Sequence, residues 1–127
     1  MAGRILLLMM VLALVLTGCA LATKAPPIAH AGPDVRVRIG ETVSYDGSQS
    51  RDPDGGEIVY YQWKITAAPE GREAEMGVVI REGEHEATWT AASPTGEEDL
   101  GQWIIELKVT DDEGRSATDD MVLTVVR

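Results

Sequence analysis

From Val35 onward the apolar residues recur at every second position, and nowhere do they keep helical spacing over three turns. This period is the tightest constraint on the fold, because successive side chains of a strand point to opposite faces and only a strand turns such alternation into one buried face. Val35, Val37 and Ile39 alternate with Arg36 and Arg38, and Val43 and Tyr45 flank Ser44. The run from Ile58 to Thr66 sets Val59, Tyr61, Trp63 and Ile65 against Tyr60, Gln62 and Lys64. Trp103, Ile105, Leu107 and Val109 oppose Glu106, Lys108 and Thr110, and Thr118 to Val126 gathers Met121, Leu123 and Val125. Shorter runs at 76–80 and 87–91 add two strands, the second with Trp89 facing away from Thr88 and Thr90. Turn signals separate all of these, at Gly40-Glu41, Asp46 to Gly56, Pro69 to Gly71, Gly83, Pro94 to Gly101 and Asp111 to Gly114.

Seven short strands in one stretch of this length predict an all-β fold, an immunoglobulin-like antiparallel β-sandwich over residues 34–127, with a barrel as the alternative. The chain of 127 residues leaves no space for a second domain of comparable size. Its 21 acidic residues outnumber 11 basic ones, for a net charge of −10. A surface of that sign excludes nucleic acid as a partner, since phosphate binding needs a basic face. A single cysteine excludes an intramolecular disulfide.

The first 18 residues have a different character. Arg4 precedes an unbroken apolar run from Ile5 to Leu16, too short to cross a hydrocarbon core that asks for about 20 helical residues. Residues 1–18 therefore read as a signal peptide. Leu16-Thr17-Gly18-Cys19 resembles the bacterial lipobox, and that resemblance implies a diacylglyceryl thioether and an N-acyl chain on Cys19. Such lipids (palmitate among them) meet the two-signal need for stable anchoring. The implied partner is then the membrane, through the lipid on Cys19, and the implied address is the bacterial cell envelope. Ala20, where an Asp would resemble an inner-membrane retention signal, points to the outer membrane in a Gram-negative cell and to the outer face of the cell membrane otherwise. Cleavage near Ala20 to Ala22, with Cys19 left as a free thiol, is the alternative. Residues 19–33 contain Pro26, Pro27 and Pro33 and are expected to form a short, stiff tether.

Several ordered motifs resemble the polycystic kidney disease (PKD) domain. They are Pro26-Pro27-Ile28-Ala29 with Ala31-Gly32-Pro33-Asp34, Gly40-Glu41-Thr42-Val43, Asp46-Gly47-Ser48, Ser50-Arg51-Asp52-Pro53-Asp54-Gly55, Tyr61-Gln62-Trp63, and Leu107-Lys108-Val109-Thr110-Asp111-Asp112-Glu113-Gly114. Where the commonest members continue Trp-Asp-Phe-Gly-Asp-Gly, this chain reads Trp63-Lys64-Ile65-Thr66-Ala67-Ala68-Pro69-Glu70-Gly71, which is similar to the variant branch of multi-repeat extracellular proteins. The resemblance implies a β-sandwich used for adhesion, spacing or ligand contact, with an unidentified envelope protein or a glycan as partner, and no enzymatic activity.

Two groups of acids stand out as candidate sites. In an immunoglobulin-type sandwich the second-to-third and sixth-to-seventh loops share one end, which gathers Asp52, Asp54, Asp111 and Asp112 into a candidate calcium site; hard cations take several carboxylate and carbonyl oxygens at short range. The PKD-type domains of some secreted bacterial collagenases are similar in binding calcium there. The competing reading is that these aspartates are turn formers, and no cofactor is required. Glu70, Glu73, Glu75, Glu97, Glu98 and Asp99 fall in loops at the opposite end. They form either a solvated pole or an acidic docking surface for a basic partner. No catalytic set emerges: His85-Glu86 lacks the second histidine of a zinc-protease helix, and His30 is the only other histidine. Trp63, Trp89 and Trp103 at inward positions read as core before they read as a sugar platform.

Overall fold

The computed structural model describes residues 24–127. The signal peptide expected at 1–18 and the lipidation expected at Cys19 lie outside the described residues. Seven strands form: β1 (Val35–Arg38), β2 (Thr42–Asp46), β3 (Ile58–Ala67), β4 (Val79–Gly83), β5 (Thr88–Ala92), β6 (Gly101–Asp111) and β7 (Ser116–Val126). Single 3-10 turns occupy Glu73–Glu75 and Glu97–Asp99. The strands make a five-stranded sheet in the order β1-β7-β6-β3-β4, faced by a two-stranded sheet of β2 and β5. The fold is thus the expected sandwich, with one departure from antiparallel order: β1 runs parallel to β7, Val35 opposite Leu123 and Arg38 opposite Val126.

Alternation builds the core directly. On β6, Trp103, Ile105, Leu107 and Val109 are buried, and on β7 so are Met121, Leu123 and Val125. Val37, Val43, Tyr45, Trp63 and Ile65 complete the layer between the sheets. Both buried indoles find acceptors in loop carbonyls, Trp63 Nε1 donating to Glu86 O at 2.9 Å and Trp103 Nε1 to Asp99 O at 3.0 Å. This is how a large side chain keeps its one polar atom satisfied in an apolar layer. Gly47 crosses the core end so closely that a Cβ there would stand 2.6 Å from Leu107 Cδ2.

Most strand bounds lie within two residues of expectation, and two strands depart from the expected pattern. The fourth starts at Val79, not Met76, because Gly77 takes a φ of +89° and breaks the strand where the apolar run begins. On β3, pairing with β6 shifts register between Ile58 and Tyr60. Val59, read as inward by strict alternation, is therefore exposed.

Residues 25–31, expected as part of a tether, lie on the domain. Ile28 and Arg51 exchange backbone hydrogen bonds of 2.8 and 3.0 Å. The Ala31 N–H donates to Asp119 Oδ2 at 2.8 Å, and Ala31 is buried. The fold's ordered contacts thus begin ahead of residue 34.

Candidate functional site

At one end of the sandwich the two aspartate loops meet, with the Asp112 N–H donating to Glu57 O at 3.1 Å. The lead-in segment joins them: Lys24 pairs with Glu113, and the Ala25 N–H donates to Asp54 Oδ2 at 2.9 Å. The four candidate calcium ligands do not act alike there. Asp111 ends the inward row of β6 and is buried. Its Oδ1 accepts the N–H groups of Glu113 and Arg115, each at 2.9 Å, and its Oδ2 meets Arg115 Nε at 3.1 Å. Burial alone would raise this carboxyl, but the backbone donors and the Arg115 charge together outweigh it and hold the pKa below the usual carboxylate value. Asp52 closes an Asx-turn, its Oδ1 accepting Asp54 N–H at 2.9 Å. Asp52 and Asp112 turn carboxylate oxygens toward one point, beside Gly56, where a Cβ would stand 2.2 Å from Asp52 Oδ2 and 2.5 Å from Asp112 Oδ1. Two carboxylates fall well short of the six to eight oxygens that calcium takes. Among the described residues no three His, Cys, Asp or Glu side chains gather as metal ligands, so the four aspartates do not converge as one set of side-chain ligands.

At the other end of β3 and β6 the second acidic group assembles around Arg72. Its Nε lies 2.8 Å from Asp99 Oδ1, an ion pair whose N–H is not aligned for a hydrogen bond, and its Nη2 lies 3.4 Å from Glu75 Oε1. The two loops are thereby brought together. Asp99 is not a surface acid: it is buried, and its Oδ2 accepts the Gly96 N–H at 2.9 Å. Glu97 is held by Arg127 at 2.6 Å, and that hydrogen bond lowers its pKa. Glu73 is lowered by the Gly71 N–H. Glu70, Glu73 and Glu98 are exposed and pair with no basic side chain among the described residues.

Between the two sheets, where β4 and β5 diverge, lies a half-open cleft of about 280 Å³. Its walls include Ile65, Ile80, Trp89, Trp103 and Ala91, and Arg72 and Glu75 also line it. Trp89 is only half-buried, unlike the other two tryptophans. Tyr45 stacks flat on it, ring centroids 4.0 Å apart at 11°, and the Arg81 guanidinium lies over the ring at 5.8 Å. Burial pushes the Tyr45 hydroxyl up to about 12. Close by in the chain Met76 is 50% exposed, Val78 41% and Val79 40%. Sequence reasoning missed this cleft. The run Met76 to Ile80 carried a signal, apolar at four of five positions, but it was read simply as a strand.

Comparison with known proteins agrees with the fold. The chain matches the family model described as K319L-like, PKD domain, over residues 31–125. It is similar to the Dyslexia-associated protein KIAA0319-like protein of Mus musculus, with 28% identity over 79% of this chain and 9% of that protein. It is also similar to the Dyslexia-associated protein KIAA0319 homolog of Mus musculus, with 32% identity over 79% of this chain and 8% of that protein. The chain thus spans less than a tenth of the length of these relatives. Among solved structures, the PKD domain from KIAA 1837 protein superposes with a TM-score of 0.53 at 21% identity, covering 82% of this chain and 90% of that one. A nucleoside hydrolase-related hypothetical protein from Saccharophagus degradans, associated with carbohydrate metabolism, superposes at 0.57 and 21% identity, covering 83% and 26%. At these identities the structures speak for the fold alone. With the family match running from the buried Ala31 to the buried Val125, the chain belongs to the K319L-like PKD domain family, a kind of domain that serves in general as a non-catalytic interaction module.

Proposed function

We propose that this chain is a membrane-anchored, non-enzymatic lipoprotein of the bacterial cell envelope whose PKD-like domain makes contact with a protein or a carbohydrate. The observation that carries the contact role is the half-open cleft beside Trp89, with Met76 and Val78 exposed just before β4 and Val79 exposed at its start. Apolar surface left open on a small domain marks a place where something binds. The anchor rests on the lipobox-like Leu16-Thr17-Gly18-Cys19 behind an apolar run. Labelled palmitate is expected to enter the full chain and to be absent from Cys19→Ala, which leaves the membrane fraction. An unlabelled wild-type chain that stays in the supernatant sinks the anchor. Crosslinking in the native envelope together with glycan arrays tests the contact role. A structural spacer is the second reading, favoured by the hydrogen bonds that fix residues 25–31 to the domain and stiffen its junction.

A further inference from the structure

Both strands that frame the cleft are sheet edges: among the described residues β4 bonds to β3 alone and β5 to β2 alone. An edge strand presents a row of backbone donors and acceptors on its outer side and takes an extended segment readily. On β4 that edge adjoins a hydrophobic cleft, since Ile80 lines the cavity while Val79 is exposed. The cavity, at about 280 Å³, sits at the bottom of the usual range for drug-sized ligands, about 300–1,000 Å³. It suits one bulky side chain better than a whole small molecule. A sugar is disfavoured because Tyr45 already covers Trp89 and Arg81 lies over its ring, leaving no flat aromatic platform.

The charge beside the cavity wall selects the partner. Arg72 in the wall is neutralised by Glu75 and Asp99, Arg81 on β4 by Glu86, and Arg127 by Glu97. Glu70 and Glu73 flank Arg72 in the chain and Glu98 precedes its partner Asp99, and among the described residues none of the three pairs with a basic side chain. A second copy of this chain, with net charge −10, would set acid against acid.

We propose that the β4 edge takes an extended segment of a partner protein as an added strand, lodging one large apolar side chain in the cleft between β4 and β5 and setting flanking Lys or Arg residues against Glu70, Glu73 and Glu98. This rests on the contact role proposed above and names its site and partner chemistry.

The test is selection of a displayed library of random 12-residue peptides on the full chain held in detergent micelles, followed by titration of the most enriched peptide. Enriched sequences are expected to place one Trp, Phe, Leu or Met between basic residues in alternating order. Val79→Lys on the edge and Glu73→Lys beside Arg72 are each expected to weaken binding tenfold or more. Glu57→Lys, at the other end of the domain, is expected to change it less than twofold, and the thermal midpoints of all three should stay near wild type. Affinity should also fall as NaCl rises. Peptides that bind equally well to Val79→Lys and Glu73→Lys overturn the site while leaving the contact role standing. Enrichment of acidic peptides overturns it as well. A dimer abolished by Val79→Lys assigns the edge to a second copy, and an array glycan lost in that variant assigns the cleft to sugar; either overturns the peptide proposal. If neither peptide nor glycan binds, both the site and the contact role fall.

Discussion

Asp111 and Asp112 are neighbours with opposite fates. Asp112 is exposed, whereas Asp111 is buried with both carboxylate oxygens in use. The difference was legible in the sequence, because Trp103, Ile105, Leu107 and Val109 set a row that position 111 continues. The turn signal Asp-Asp-Glu-Gly hid it. A carboxyl whose native pKa lies below its unfolded value of about 3.9 contributes stability in full above that value and loses it as pH falls through the native pKa. Asp111→Asn is therefore expected to lower the thermal midpoint most at neutral pH, with the gap to wild type shrinking toward pH 3. Asp112→Asn should show only a small gap across the range. Melts from pH 2.5 to 7 decide this: a gap for Asp111→Asn that stays constant with pH would mean that its charge contributes nothing.

At the scale of strands, β6 carries the fold. It pairs along its length with β7 and for most of β3, and its inward side chains touch both sheets. Leu107 is fully buried at its middle, so Leu107→Ala is expected to cost about 3 kcal/mol, the lost transfer energy plus the cavity left behind. Lys108→Ala, one residue on and exposed, should cost under about 0.5 kcal/mol. Denaturant melts giving equal losses would show that β6 is not the core strand. The alternation that identified β6 and β7 was strong because both bury one face completely. It failed at Val59, where a register shift spends one residue outside the pattern, and at Met76 to Val78, where a left-handed glycine turns apolar residues outward. The parallel pairing of β1 with β7 had no signal at all, since periodicity marks which face is buried and not which strand lies alongside. The cleft was invisible for the same reason: it comes from a two-stranded sheet failing to cover a five-stranded one.

Across the whole molecule the excess of acid, a net charge of −10, acts as a net self-repulsion. Screening reaches this repulsion easily, since the Debye length falls from about 30 Å at 0.01 M salt to about 10 Å at 0.1 M. The thermal midpoint is therefore expected to rise as NaCl is added over that range. Calcium chloride at matched ionic strength separates screening from a bound ion. A site holding calcium at millimolar concentration would add stability beyond NaCl by mass action. Asp111 is committed to Arg115, and Asp54 accepts the Ala25 N–H, while Asp52 and Asp112 turn oxygens toward a common point. The two salts are accordingly expected to give equal shifts. A larger rise in calcium, abolished by Asp52→Asn, would require the loops to rearrange so that backbone carbonyls complete the shell. It would also mean that the lead-in segment, fixed to the same loops through Lys24 and Ala25, responds to the ion.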